Sequence, residues 1–220
     1  MKFFFLFIFN LFFFHCSKEI SHKKINPEII SKIQPHVVYI QSPKLDRPNG
    51  TGIVLDKEGK ILTCYHVISG IDDSIEILLS DLKTIHKAKV LFKEEIFDLL
   101  VLETTYKNNL PKLEWSNIDE NPIASPLFMF GSPYGLTGTY LEGYLTAKNR
   151  LKASLQFSEI PFLQTQGLSF PGNSGGAVFN EQGKIIGINQ STYGFSTGTG
   201  IGLVIPTGFV ITFLKKNSFF

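Results

Sequence analysis

The sequence is poor in the residues that usually announce a chemistry. It has only two cysteines, Cys16 and Cys64, in 220 residues, which excludes a disulfide framework; with no Cys/His cluster either, there is no zinc-binding pattern. Charge is scarce and balanced: 21 basic residues against 19 acidic ones leave a net +2, too little for a general nucleic-acid field. No apolar run reaches the about 20 residues that a membrane-crossing helix needs. What abounds is hydrophobic side chain, 43 % of the chain, and that excludes a disordered polymer. The length suffices for one large all-β domain or two small ones with a real core.

The densest apolar run stands at the front. Residues 3–14, FFFLFIFNLFFF, hold 8 of the 21 phenylalanines and follow Lys2. Behind a basic start, a run this short reads as a secretory signal over residues 1–15. It closes on His15-Cys16, and polar Ser17-Lys18-Glu19 follow. A cysteine in this place resembles the lipobox of bacterial lipoproteins, which implies lipidation of Cys16 and a tether over residues 16–25. His15 and Phe13 stand where a lipobox usually has a small residue and leucine. The competing reading is a differently processed signal with an incidental cysteine.

From residue 37 onward, short β-rich runs alternate with turn residues, the pattern of a sandwich or barrel. Strands are expected at 37–40, 52–55, 60–64, 75–79, 87–92, 99–103, 127–130, 140–146, 162–165, 177–179, 184–189 and 202–205. Only the ends read as helix. Asn26 before Pro27 is a cap and first-turn pair for a helix to residue 33. A second helix over 207–216 ends on two lysines, which suit a helix C-terminus. One segment repeats: GIVLDKEGKI at 52–61 and GAVFNEQGKI at 176–185 align without gaps at an offset of 124. Each reads as a hairpin closed by glycine. Two copies half a chain apart suggest two similar small barrels, about 34–112 and 122–206, joined by the polar, turn-rich stretch 109–121. The competing reading is that any two hairpins look alike over ten residues.

Chemistry concentrates at three places. Pro171-Gly172-Asn173-Ser174-Gly175-Gly176 offers a serine on a tight turn. A nucleophilic serine needs such exposure, and the amides of Gly172 and Ser174 are placed to meet a developing oxyanion. A strand rather than a helix follows, so this is not a nucleophile elbow. His66 directly follows the strand closing the first hairpin and is the base candidate; His15, His22, His36 and His86 have no comparable setting. Asp98 opens the apolar strand LLVLE, and a buried aspartate there needs a partner that the His66 ring could be. A solvated serine turn and a strand-end cap are the competing readings for Ser174 and Asp98. Cys64 in an apolar strand reads as a buried, unreactive thiol.

The order His66, Asp98, Ser174, with GTGIVLDKEGKILTCYHVI, DLLVLE, FGSPYGLTGTYLEGYLTA, PGNSGGAVFNEQGKIIGIN and GIGLVIP, resembles the HtrA/Deg group of trypsin-like serine proteases over roughly residues 30–215. The resemblance implies an all-β fold of two perpendicular six-stranded barrels with short terminal helices, a peptidase domain over 26–220, and a triad in the cleft between the barrels. It also implies that the residue six before the nucleophile, Leu168, helps form the floor of the primary substrate pocket. Three departures stand out. Only 15 residues follow Ile205, so no PDZ domain is expected; Gln166 replaces the group's usual acidic residue eight before the serine; and Asn173 replaces the aspartate with which digestive enzymes bind a new N-terminus.

The expectation is therefore an exported serine endopeptidase, lipid-anchored through Cys16 in the periplasm or cell envelope, cutting after small or medium aliphatic residues of unfolded or extended segments. His66 serves as base, Asp98 as its orienting acid, and the Gly172 and Ser174 amides as oxyanion hole. The scheme requires no metal or organic cofactor. Expected partners are polypeptide substrates and a membrane, not nucleic acid, with homo-oligomers left open. The alternatives are a catalytically weak, protease-like surface lipoprotein that binds a partner, and a hydrolase acting on esters.

Overall fold

The computed structural model describes residues 24–44, 49–69, 71, 74–193 and 200–219. The signal over 1–15, Cys16 and most of the tether lie outside them. The chain enters through α1 (Pro27–Ile33), whose first turn is capped as its sequence demands: the Asn26 side chain accepts the Glu28 N–H at 2.9 Å and Pro27 starts the helix.

Six strands then close on themselves: β1 (Val37–Gln41), β2 (Gly50–Val54), β3 (Ile61–Cys64), β4 (Ile75–Leu78), β5 (Ile85–Glu94) and β6 (Leu99–Thr104). Six more form a second closed barrel: β7 (Pro126–Gly131), β8 (Thr139–Arg150), β9 (Phe162–Gln166), β10 (Ala177–Asn180), β11 (Ile185–Thr192) and β12 (Ile201–Pro206), before α2 (Thr207–Lys216). All twelve pairings are antiparallel. Each expected strand is present, lengthened by a few residues where β5, β8 and β11 run past the apolar core.

Side-chain alternation explains why barrel two reads as nearly continuous apolar runs. In β7, Leu127 and Met129 join one buried cluster while Phe128 and Phe130 join the other. Val178, Ile186 and Val204 repeat the division against Phe179, Ile185 and Ile205 on neighbouring strands. One face of each strand therefore fills the barrel, and the opposite face is covered by the rest of the molecule.

The repeated hairpins have the same local chemistry. Asp56 accepts the Lys60 N–H at 3.0 Å, as Asn180 accepts that of Lys184, and Gly59 and Gly183 take φ of +79° and +77°. Their places in the fold differ, however. The ring order β1-β2-β3-β6-β5-β4 in barrel one matches β7-β8-β9-β12-β11-β10 in barrel two, which makes β2–β3 equivalent to β8–β9 and not to the β10–β11 copy. The barrels share a topology, as the repeat suggested, but the repeat does not mark it. A hairpin with a Gly-closed turn recurs for local reasons.

The stretch between the barrels is also more than a linker. Trp115 bridges to Ile185, and buried Asn121 donates to Ser116 Oγ at 2.9 Å while Asn180 Nδ2 donates to Asn121 Oδ1 at 3.0 Å. Asn180 thus serves the hairpin loop and the crossover together. Asn180→Ala should lower unfolding free energy by about 2 kcal/mol in urea titration, since it orphans several buried partners; a cost under about 0.5 kcal/mol would show that the crossover holds itself.

Candidate active site

Pairing of β3 with β6 sets Cys64 opposite Leu99 and so brings the residues just outside both strands together. His66 lies on a short 3-10 turn (Tyr65–Ile68) after β3, and Asp98 closes another (Glu95–Phe97) before β6, in a left-handed conformation with φ 55°. The Asp98 carbonyl accepts the Tyr65 N–H at 3.0 Å. Its carboxylate, 1 % exposed, accepts the His66 backbone N–H at 2.9 Å through Oδ1 and meets His66 Nδ1 at 2.6 Å through Oδ2. A carboxylate only accepts, so Nδ1 carries the hydrogen and Nε2 is left facing outward as the basic nitrogen of the neutral ring.

Ser174 comes from barrel two, but barrel one holds its turn. Thr51 of β2 donates its N–H to the Ser174 carbonyl at 2.8 Å and its hydroxyl to the Gly172 carbonyl at 2.9 Å. The Pro171 carbonyl accepts the Tyr134 N–H at 2.7 Å, and the Asn173 carbonyl that of Gly176 at 3.1 Å. In a planar trans peptide the N–H points opposite to the C=O. Those two bonds consequently turn the Gly172 and Ser174 N–H groups away, and among the described residues neither has an acceptor. Gly172 is required where it stands: φ is +99°, and a Cβ would come within 2.0 Å of the Ser132 carbonyl oxygen.

The three candidates meet through one residue that sequence reasoning passed over. Gln190 on β11 donates Nε2 to Asp98 Oδ2 at 2.9 Å, while its carbonyl accepts the Ser174 hydroxyl at 3.0 Å. Ser174 Oγ therefore faces Gln190 and makes no hydrogen bond to His66 in this structure. The only sequence signal for Gln190 was its place one residue beyond the quoted GKIIGIN. Thr51 was visible as the threonine of GTG, but nothing marked it as the clamp.

Other expected positions resolve differently. Leu168 is fully buried inside barrel two with Leu127, Met129, Leu145 and Val204, so its side chain presents no surface to a substrate. Counting back from the serine could not reveal this, because the inward or outward sense of residue 168 depends on where β9 ends. Gln166 is exposed at the end of β9, paired with Ile201 and Tyr144. Asn173 is buried and donates Nδ2 to the Leu168 carbonyl at 2.7 Å.

Cys64, His66 and Asp98 offer donor atoms within 4.8 Å of one another, the spacing of a metal site. The chemistry of the set does not favour a metal ion: burial first, then the Asp98 charge, pushes the Cys64 thiol well up, and His66 Nδ1 is spent on Asp98. A cavity of about 270 Å³ lined by His36, Leu55, Trp115 and Phe219 lies elsewhere, and none of the site residues borders it.

Two closed antiparallel barrels with a serine turn, a histidine and a buried aspartate gathered at their seam define a narrow class of all-β proteins. Residues 50–188 match the trypsin-like peptidase domain, and the chain belongs to that family. It is 34 % identical over 167 residues to the "Probable periplasmic serine endoprotease DegP-like" of Hahella chejuensis, covering 76 % of this chain and 34 % of that protein. It is 33 % identical over 181 residues to "Serine protease Do-like HtrA" of Lactococcus lactis, covering 76 % and 44 %. Among solved structures, "HtrA-type protease AlgW with tripeptide" superposes with a TM-score of 0.76 at 30 % identity, covering 86 % of this chain and 62 % of that one. The serine endoprotease from Yersinia pestis gives 0.71, also at 30 %, covering 86 % and 65 %. The chain thus spans about a third of the first of these curated relatives.

Cys64 is a buried free thiol. A thiol raised by burial should stay unmodified by iodoacetamide in the folded protein at pH 8 and react only in denaturant. Rapid native alkylation of Cys64 would contradict its placement.

Proposed function

We propose that the chain is an exported serine endopeptidase. The observation that carries this is the Asp98–His66 pair joined through Gln190 to Ser174, beside two amides without acceptors. Rotation of Ser174 about χ1 moves its hydroxyl from the Gln190 carbonyl to His66 Nε2. His66 then takes the proton as Oγ attacks the scissile carbonyl, and the Gly172 and Ser174 N–H groups bind the oxyanion. His66 returns the proton to the leaving amine, and water releases the acyl-enzyme by the same route in reverse. Asp98 holds the ring and stabilises the imidazolium.

Neither 164–174 nor 187–206 contains an aspartate or glutamate, which supports a preference for uncharged, small or medium aliphatic residues at the cut. With Leu168 inside the barrel, that preference rests on the whole uncharged wall. The periplasmic names of the relatives and the front end of the sequence support export, and Cys16 supports a lipid anchor. Extended polypeptide segments are the substrates.

The test is labelling by a fluorophosphonate together with casein cleavage. Ser174→Ala should abolish both, leaving rates about 10³–10⁴-fold above water, and His66→Ala should cost about as much because the two act as a unit. Near-normal cleavage by Ser174→Ala would overturn the assignment. Activity should fall on acidification as His66 gains a proton and ceases to be a base. A flat profile between about pH 5 and pH 8 would speak against a histidine base.

A further inference from the structure

We propose that the cavity of about 270 Å³ beside the crossover between the barrels binds a small free aromatic molecule carrying one N–H or O–H donor, with the ring of His36 as its acceptor. None of the residues assigned to catalysis borders this cavity, and its occupation is independent of the catalytic reading. The walls are held by bonds of their own. Residues 108–116 are pinned at both ends: Asn108 donates its N–H to the Lys57 carbonyl at 3.2 Å and Nδ2 to the Asp56 carbonyl at 2.9 Å, while the Glu114 carbonyl accepts the Ile185 N–H at 2.8 Å. Leu110 and Trp115 of this stretch line the cavity together with Leu214 and Phe219. Phe219 donates its N–H to the Leu214 carbonyl at 3.0 Å, meets Phe92 edge-on at 5.7 Å and lies under Lys60 Nζ at 5.0 Å. The site is therefore formed before any ligand arrives, as small-molecule sites usually are.

Two aromatic rings among aliphatic side chains favour a flat apolar ligand, because aromatic pairs gain more than the area they bury. A cavity of about 150 Å³ admits benzene, so this one has room for a bicyclic ring of about nine or ten heavy atoms. The demand for a donor comes from His36, which borders the cavity and is 2 % exposed. Its Nε2 lies 2.8 Å from the Pro111 carbonyl oxygen, which only accepts, so Nε2 carries the hydrogen and Nδ1 of the neutral ring is a lone pair. That Nδ1 is buried with no partner among the described residues. The other buried side-chain atoms in the same condition, on Thr165, Asn173 and Gln190, do not border the cavity, so a water at His36 would serve no second one of them. A carboxylate on the ligand would itself only accept and would leave Nδ1 orphaned, whereas an N–H or O–H would satisfy it.

The experiment titrates the unaltered chain with indole and follows the side-chain N–H resonance of Trp115, the single tryptophan of the sequence. Indole should move that resonance saturably, with a Kd below about 1 mM, and at ten times Kd should raise Tm by about 3 °C. Indene, the same fused ring without the N–H, should bind about tenfold more weakly because it leaves Nδ1 unpaired. His36→Phe keeps a ring but removes the acceptor, and should bring the two probes within about twofold of each other. Should His36→Phe not fold, the comparison of indole with indene on the unaltered chain decides alone. N-acetyltryptophanamide carries the same ring with peptide groups on either side and should bind more weakly than indole; tighter binding would assign the cavity to a polypeptide and overturn the proposal. So would an unmoved Trp115 resonance up to about 5 mM indole, or indene binding as tightly as indole.

Discussion

A carboxylate removed from water must find donors or take up a proton, and Asp98, at 1 % exposure, finds three. Two come from His66 of barrel one and one from Gln190 of barrel two. That demand organises the seam. It fixes the 3-10 turn after β3, whose Tyr65 N–H also ties to the Asp98 carbonyl, and it requires β11 to stand where its side chain can reach across. His66 and Asp98 both belong to barrel one, and the third donor comes from barrel two.

The strands were legible because their alternation is a property of each segment by itself. Phe128 and Met129 differ in which cluster they join, yet both are apolar, so the run 127–130 declares a strand without declaring its inside. Leu168 shows the cost of that ambiguity: it lies within barrel two, where no count from Ser174 could have placed it. His66, Asp98 and Ser174 stood out as candidates because few residues of those types open or follow apolar strands. Gln190 and the orientation of Ser174 did not, since they depend on contacts spanning 92 and 16 residues. Such contacts leave no periodicity in the chain.

The hairpin repeat adds a physical lesson about similarity. Asp56 and Asn180 perform the same task in their loops, accepting the amide of the lysine four residues on. Aspartate stands in one loop and asparagine in the other with the same bond, because the amide oxygen of asparagine accepts as a carboxylate oxygen does. Similar loops thus arise at β2–β3 and β10–β11, which the topology does not relate. Instead the two hairpins meet face to face: Cys64 Sγ lies 3.5 Å from the Asn189 carbonyl oxygen, and a Cβ on Gly175 would come within 2.0 Å of Thr63 Oγ1.

That meeting makes the Ser174 turn a property of both barrels. Thr51 takes the carbonyls of Gly172 and Ser174, Tyr134 takes that of Pro171, and the Gly172 and Ser174 amides have no acceptor among the described residues. All but one of these donors are backbone amides, the exception being the Thr51 hydroxyl, and no single bond creates the site. In the proposed mechanism, donors oriented before any substrate arrives have little reorganisation left when charge develops. The movement that mechanism requires is the rotation of the Ser174 hydroxyl from the Gln190 carbonyl, where it now rests, to the ring of His66.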